Sequence, residues 1–432
     1  MQAIDRFFRL REQGTTVRQE IVAGAATFLT MSYIVVVNPL ILSDAGMDFG
    51  AVFTATVLAA AIGTGIMGLW ANWPVALAPG MGLNAFFAYG VVLGMGHPWQ
   101  AALGAVFCSG VLFMALSASG LRRWILEAMP TSLRLGIGAG IGLFLALIGL
   151  RNAGIVVGNP DTLIAIGDLT EATVLLASAG FVVMTLLASR RTVGAIVISI
   201  VGITAAGLVV GEASWGGGAW LPPSPAPTLF ALDVQAVFEL GLVVVVLTFL
   251  FFDFFDTAGT LTSVAIMAGR VRGDGSIENI GRAVFSDSVA TTAGSLLGTS
   301  STTCYIESGA GIREGGKTGL TAVTCAMLFL LCLFLAPLVK TIPSWAAAAA
   351  LVFVGTGFVS TLKDLDWDDA GAYVPAVLTA IVMPFTFSIA NGIAIGFISY
   401  AVIRIVTGNV RELHPAVGLL AVASLLFFLK DF

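Results

Sequence analysis

The sequence predicts an all-α polytopic membrane protein with about fourteen transmembrane segments, arranged as two inverted sets of seven. Three observations carry this prediction. Of 432 residues, 58% are hydrophobic and only 10% are Asp, Glu, Lys or Arg, whereas a soluble globular chain carries about 25% of these charged types. Uncharged tracts reach the roughly 20 apolar residues that a bilayer crossing needs, and residues 49–121 contain no Asp, Glu, Lys or Arg. With the N-terminus placed in the cytoplasm, alternation sorts the 20 basic residues to the inner side, except Arg151 and Lys340 outside and Lys430, which is unassigned. The inner set includes Arg122, Arg123, Arg134, Arg313, Arg404 and Arg411.

Residues 1–20 carry Arg6, Arg9, Arg11 and Arg18 and read as a cytoplasmic segment rather than a cleavable signal. Apolar runs bounded by Pro, Gly, Asn and charge then place segments at 21–42, 51–71, 74–91, 98–119, 131–150, 172–189 and 192–210. The second set falls at 235–258, 281–298, 300–313, 319–339, 345–361, 372–388 and 391–408. Residues 159–171 and 211–231, acidic or rich in Gly, Pro and Trp, read as external connectors. In the C-terminal segment 409–432, the apolar run 416–429 is short for a span and reads as lying along the membrane interface.

The third and tenth segments occupy equivalent places in the two sets, and both are broken. The third contains Ala78-Pro79-Gly80-Met81-Gly82-Leu83-Asn84, and the tenth contains Thr299-Ser300-Ser301-Thr302-Thr303-Cys304 ahead of Tyr305-Ile306-Glu307-Ser308-Gly309. Pro, Gly and Ser/Thr runs are poor helix interiors, so both segments are expected to be part extended and part helical. Unwound backbone at membrane depth is tolerated only where protein or a watery cavity satisfies it. Paired breaks therefore point to a binding site.

Ionisable residues inside a bilayer are costly and mark function by default. The eighth segment carries Asp253 and Asp256, whose i, i+3 spacing puts them on one helical side among Phe251, Phe252, Phe254 and Phe255. Glu307 lies in the broken tenth segment and Asp287 in the ninth. Asp287 reads as a structural residue hydrogen-bonded among Ser286, Ser288, Thr291 and Thr292, and Glu239 as interfacial. An early end to the eighth span would instead leave Asp256 at the cytoplasmic interface. No Lys or Arg falls beside these acids within the spans, so their partners are expected to be a proton, a cation or N–H donors of a substrate. Carboxylates beside an aromatic wall suit a flat, neutral heterocycle, and a purine base has that shape.

Other classes fit less well. A membrane β-barrel would alternate apolar and polar residues over about ten positions, and a net charge of -5 without a basic domain excludes nucleic-acid binding. Cys108, Cys304, Cys325 and Cys332 lack metal-ligand spacing and read as packing residues. The two histidines, His97 and His414, each precede a proline in expected loops, which leaves an enzyme no nucleophile–base pair, and no metal or other cofactor is implied. An anion transporter or channel of the sulfate/bicarbonate type shares the seven-plus-seven architecture, but would want Arg or Lys where this chain has acids. A non-transporting scaffold leaves the buried acids unexplained.

Several ordered motifs resemble the AzgA-like purine permeases, a branch of the nucleobase–cation symporter-2, or nucleobase–ascorbate transporter, family. They are Thr27-Phe28-Leu29-Thr30-Met31-Ser32-Tyr33-Ile34 with Asn38-Pro39, Ala78 through Tyr89, Phe252-Asp253-Phe254-Phe255-Asp256-Thr257-Ala258-Gly259-Thr260, Thr303 through Gly311, and Phe385-Thr386-Phe387-Ser388-Ile389-Ala390-Asn391. The resemblance spans nearly the whole chain. It implies a core domain (21–119 and 235–339), a gate domain (131–210 and 345–408), a homodimer in the plasma membrane, and elevator-like symport of adenine, guanine or hypoxanthine with protons. It further implies that Asp256 and Glu307 contact substrate, with Asn84, Phe255 and Ser308 around them and Asp253 in support. Thr260 stands where pyrimidine-transporting cousins have histidine, so an acid is expected to carry the proton. Arg313-Glu314 replaces residues that are usually small in relatives.

Overall fold

The computed structural model describes residues 2–119, 130–239, 242–272, 276–410 and 413–429. Arg122, Arg123, Arg411 and Lys430, used above to assign topology, lie outside the described residues.

A short helix α1 (Gln2–Phe8) precedes α2 (Val17–Met31), which Thr16 caps by accepting a hydrogen bond from Gln19 N. α2 is interrupted at Ser32-Tyr33 and resumes as α3 (Ile34–Asp44), with Pro39 inside it. Asp48 caps α4 (Phe49–Ile66), accepting from Ala51 N at 2.7 Å, and a π-helical turn (Met67–Ala71) ends that rod. The third segment unwinds into β1 (Leu77–Pro79), then winds into α5 (Met81–Ala85) and a π-helical stretch (Phe86–Gly94). α6 (Trp99–Ser119) and α7 (Thr131–Asn152) follow.

The connector after α7 has secondary structure of its own. It holds an antiparallel hairpin of β2 (Val156–Asn159) and β3 (Leu163–Ile166), because the β-branched residues flanking Asn159-Pro160-Asp161 favour strand pairing across a turn. Next come α8 (Ala172–Ser189), α9 (Ala195–Val210), α10 (Val234–Glu239), α11 (Val243–Met267) and α12 (Ile280–Leu297). The tenth segment unwinds into β4 (Thr302–Cys304) and rewinds as α13 (Ser308–Arg313). The remaining helices are α14 (Gly319–Cys332), α15 (Ala336–Thr341), α16 (Ser344–Val359), α17 (Ala370–Phe385), α18 (Ile389–Val406) and α19 (Pro415–Leu429).

Among the described residues nine helices are long and apolar enough to cross a membrane, and Met81–Gly94, Ala195–Val210 and Ala370–Phe385 are shorter apolar helices. The fold is thus a helical, multi-pass membrane fold. The eighth segment is displaced from its expected bounds of 235–258: it breaks after α10 and continues to Met267. Within the continuing helix Thr262 returns its hydroxyl to Ala258 O at 2.7 Å, so this polar side chain is satisfied without leaving the helix. Asp253 and Asp256 consequently sit near the middle of a 25-residue helix. At the C-terminus, α19 is a 15-residue helix, about 22 Å long, packed on α18 through Phe397, Tyr400, Val417 and Ala421.

The helices gather in two groups. α2, α4, α6, α11, α12 and α14 pack around the β1–β4 pair, while α7, α8, α16, α17 and α18 pack together. The run of glycines in α7 makes the second group close-packed. A Cβ at Gly142 would collide with Gly355 O of α16, and one at Gly355 with Gly142 O. Glu20, in the first turn of α2, is fully buried. Its carboxylate accepts hydrogen bonds from Lys317 N, Thr318 N and Oγ1, and Thr321 N and Oγ1, satisfying the free N–H groups that begin α14.

Candidate functional site

The two broken segments meet. β1 and β4 pair antiparallel with Leu77 opposite Cys304, Ala78 opposite Thr303 and Pro79 opposite Thr302. Two bonds extend the ladder: Gly80 N donates to Ser301 O at 2.9 Å and Tyr305 N to Ala76 O at 3.0 Å. Each unwound strand thus satisfies the other's backbone in the protein interior. Two side chains lock the crossing, Tyr305 donating its hydroxyl to Pro79 O at 2.6 Å and Ser308 Oγ accepting from Ala76 N at 3.0 Å. α12 stops where it must, because Gly298 takes φ +96 and a Cβ there would collide with Thr228.

Beside the crossing lies a cavity of about 1280 Å³. One wall is α11, through Phe251, Phe252, Phe255, Asp256 and Thr260, with Phe86 and Ile306. The opposite wall is Thr131, Arg134, Leu135 and Gly138 of α7, with Phe387, Ser388 and Asn391. Leu420 and Ser424 of α19 also reach the cavity.

The expected site residues divide between the surface of this cavity and the layer behind it. Asp256, Phe255 and Thr260 line it. Glu307 is half-buried next to Ile306 and accepts a hydrogen bond from Tyr33 Oη at 3.1 Å. Asp253, Asn84 and Ser308 are fully buried behind the lining. Asn84 Oδ1 accepts from Ser300 Oγ, and Asn84 Nδ2 is buried without a partner. Asp253 Oδ2 accepts from Thr291 Oγ1 at 2.7 Å, and the same hydroxyl lies 3.0 Å from Thr302 O. Of the four flanking phenylalanines, Phe254 turns away into an apolar cluster with Phe113.

Two expectations are corrected here. A cation does share the cavity: Arg134, one turn into α7, reaches across so that its guanidinium carbon lies 5.6 Å from the centre of the Phe255 ring, while Nη2 donates to Thr131 Oγ1 at 2.9 Å. Its position near a helix start hid it from a reading by spans. Asp287 is fully buried, but its partner is not one of its own helix's hydroxyls. Ser286, Ser288 and Thr292 return their hydroxyls to helix carbonyls, Thr291 is taken by Asp253, and Asp287 Oδ2 accepts from Thr257 Oγ1 of α11 at 2.7 Å.

Sequence reasoning also passed over Tyr33 and Thr303. Tyr33 is one of only five tyrosines, and a phenol inside an apolar first segment is a signal of the same kind as a buried acid. Thr303 Oγ1 lies 3.4 Å from Asp256 Oδ2, and nothing in a Ser/Thr run singles out one hydroxyl. Chemically, the lining presents the Asp256 carboxylate and phenylalanine faces on one side and a guanidinium on the other. Burial lowers the His97 imidazole below its ordinary value, so the loop before α6 brings a neutral ring to the cavity at pH 7.

Comparison with known proteins identifies the family. The profile of the Permease family, Xan_ur_permease, matches residues 18–429. The chain is 48% identical to the adenine permease AdeP of Escherichia coli over 427 residues, covering 99% of this chain and 95% of that protein. It is 44% identical to the guanine/hypoxanthine permease PbuG of Bacillus subtilis over 441 residues, covering 98% of this chain and 99% of that protein. Among solved structures, the transmembrane domain of the cyanobacterial bicarbonate transporter BicA superposes with a TM-score of 0.65 at 15% identity, over 88% of this chain and 96% of that one. The inward-facing murine anion transporter Slc26a9 gives 0.66 at 11% identity, over 90% and 68%. These two share the fold. The chain belongs to the Permease family and is a transport protein rather than an enzyme.

Proposed function

We propose that the protein takes up the purine nucleobases adenine, guanine and hypoxanthine across the cytoplasmic membrane in symport with protons. The observation that carries this reading is Asp256 set among Phe251, Phe252 and Phe255 on one cavity wall, with Glu307 at the start of α13, next to the lining residue Ile306. Carboxylates accept the N–H groups of a purine and phenylalanine faces take its ring. AdeP is an adenine permease and PbuG a guanine/hypoxanthine permease, which supports the same substrate class. Asp256 and Glu307 bind the base and Phe255 stacks on it. Asn84, Ser308 and Asp253 hold the binding groups from behind, and Thr260 borders them.

The architecture belonging to this reading is fourteen segments in two inverted sets of seven, with a cytoplasmic N-terminus. Its core is 21–119 with 235–339, and its gate is 131–210 with 345–408. The antiparallel meeting of β1 and β4 and the gathering of helices into two groups with the cavity between them support it. An elevator motion of core against gate and a homodimer follow from the family resemblance. Arg134 in the cavity favours one second reading, an anion transporter.

Uptake of radiolabelled adenine, guanine and hypoxanthine into proteoliposomes, with and without a protonophore, tests the proposal. Uptake that ignores collapse of the proton gradient ends the coupling reading, and bicarbonate or sulfate flux without purine uptake replaces it with the second. Asp256→Asn and Glu307→Gln are expected to abolish high-affinity purine binding in folded protein; unchanged affinity removes that residue from the site.

A further inference from the structure

The carboxylate on the cavity and a carboxylate sealed beneath it are joined by hydroxyls. Thr303 Oγ1 lies 3.4 Å from Asp256 Oδ2 and 3.0 Å from Thr257 Oγ1, and Thr257 Oγ1 donates to Asp287 Oδ2 at 2.7 Å. Thr257 and Asp287 are 0% exposed and Thr303 1%, and of the four residues only Asp256 lines the cavity. The row crosses three elements, α11, β4 and α12, which are brought together by the two broken segments.

A second observation points to what this row carries. Asp287 Oδ1 and Asp253 Oδ1 are both buried without a partner in hydrogen-bond geometry, the Cys304 thiol and N–H lying close enough to the Asp287 carboxyl to interact with it. An ionised carboxylate with an empty oxygen inside a membrane protein is strongly disfavoured, and a proton on that group removes the charge. The elements around Asp287 offer no counter-charge. α11 contributes Asp253 and Asp256, β4 the Cys304 thiol and α6 the Cys108 thiol, while α4, β1 and the Met67–Ala71 turn contribute no ionisable group.

We propose that Asp287 is an inner proton-holding site, loaded from Asp256 through the hydroxyls of Thr303 and Thr257. This inference rests on the proton-coupled reading given above. In the transfer, a proton taken from the cavity by Asp256 passes to Thr303 Oγ1, Thr303 releases its own hydrogen to Thr257 Oγ1, and Thr257 releases its own to Asp287 Oδ2. Three O–H bonds break and three form. Asp256 returns to carboxylate, Asp287 becomes the acid, and both hydroxyls are regenerated pointing the other way. The consequence for transport is direct: storing the proton on Asp287 leaves Asp256 ionised and able to accept an N–H of the substrate.

The test compares two assays on the full chain in proteoliposomes, accumulation of radiolabelled adenine driven by a pH gradient and adenine counterflow at equal pH on both sides. Thr257→Val and Thr303→Val keep shape and remove the hydroxyl. Both are expected to lower gradient-driven accumulation at least about tenfold while counterflow falls far less, and Thr257→Ser and Thr303→Ser are expected to restore accumulation. Asp287→Asn, which keeps an acceptor for Thr257 but cannot hold the proton, is expected to bind adenine with an affinity that no longer varies with pH. It carries the test if a valine variant fails to fold. Valine variants that accumulate adenine like the wild type overturn the relay, as do variants in which accumulation and counterflow fall together, or Asp287→Asn with wild-type pH dependence. A wild-type protein whose accumulation ignores the gradient fails the proton-coupled reading itself, a result separate from failure in the variants alone.

Discussion

Asp253 and Asp256 are three residues apart on α11, a rotation of about 300°, so their side chains diverge by some 60°. That divergence is enough to bury Asp253 against Thr291 of α12 while Asp256 faces the cavity. Glu307 owes its position to another such detail. Tyr33, at the interruption between α2 and α3, donates to it at 3.1 Å across 274 residues of sequence. A hydrogen bond to a charged group contributes about 1.5–3 kcal/mol. Tyr33→Phe is therefore expected to weaken purine affinity by roughly ten- to a hundredfold if that contribution is felt on binding, with the protein still folded, and equilibrium binding of labelled adenine measures it. Unchanged affinity would show that Tyr33 does not orient Glu307 for substrate. The acids themselves were visible in the sequence because charge is so scarce in the spans. Tyr33 was not tied to Glu307, since no local pattern reports a contact made by two chain breaks far apart.

At the scale of elements, the breaks in the third and tenth segments were legible because Pro79-Gly80 and the Ser300–Thr303 hydroxyls are poor helix interiors. Their register was not legible, because pairing Ala78 with Thr303 depends on how two helix groups fold around them. The end of α11 was misplaced for a related reason: hydropathy falls after Ala258 although the helix continues to Met267, packed against α12 and α6. A further element junction makes a pH prediction. Asp369 caps α17, accepting from Gly371 N at 2.8 Å, and pairs with Arg404 of α18 at 2.8 Å. The Arg404 hydrogen bond holds the Asp369 carboxyl below its usual range. A lowered carboxyl contributes stability that is fully present above the ordinary value of about 3.9 and is lost as the pH falls through the lowered one. The Asp369 side chain is 40% exposed, so solvent limits the pair to about 1 kcal/mol or less. Asp369→Asn is expected to lower Tm slightly and by a constant amount from pH 8 to 5, the gap narrowing only below about 4. Thermal unfolding of the two proteins in detergent across that range checks it, and a gap that changes between pH 8 and 5 would contradict the assignment.

At the scale of the molecule, the cavity lies between two groups of helices, and aromatic residues bridge them at one end. Tyr89, after the third-segment break, donates its hydroxyl to Asp44 at 2.6 Å and packs its ring 6.0 Å from Phe144 of α7 and 6.1 Å from Phe387. Phe387 links α17 to α18 at φ +51, a left-handed conformation that a side chain of its size rarely adopts, and its ring is held by Phe144 at 5.1 Å and by the Arg151 guanidinium at 5.9 Å. If core and gate slide past each other during transport, this contact must part and re-form once per cycle. Joining its two sides should then stop the cycle without touching the carboxylates. Tyr89→Cys with Phe144→Cys, bridged by a short thiol-reactive crosslinker, is expected to arrest purine uptake while each single variant treated alike still transports, and a crosslinker with a reducible disulfide should return activity on reduction. Binding of adenine should survive the crosslink, which separates arrested motion from a damaged site. Continued uptake by fully crosslinked protein would mean that the two groups of helices do not move relative to each other there, and the elevator reading would fall with it.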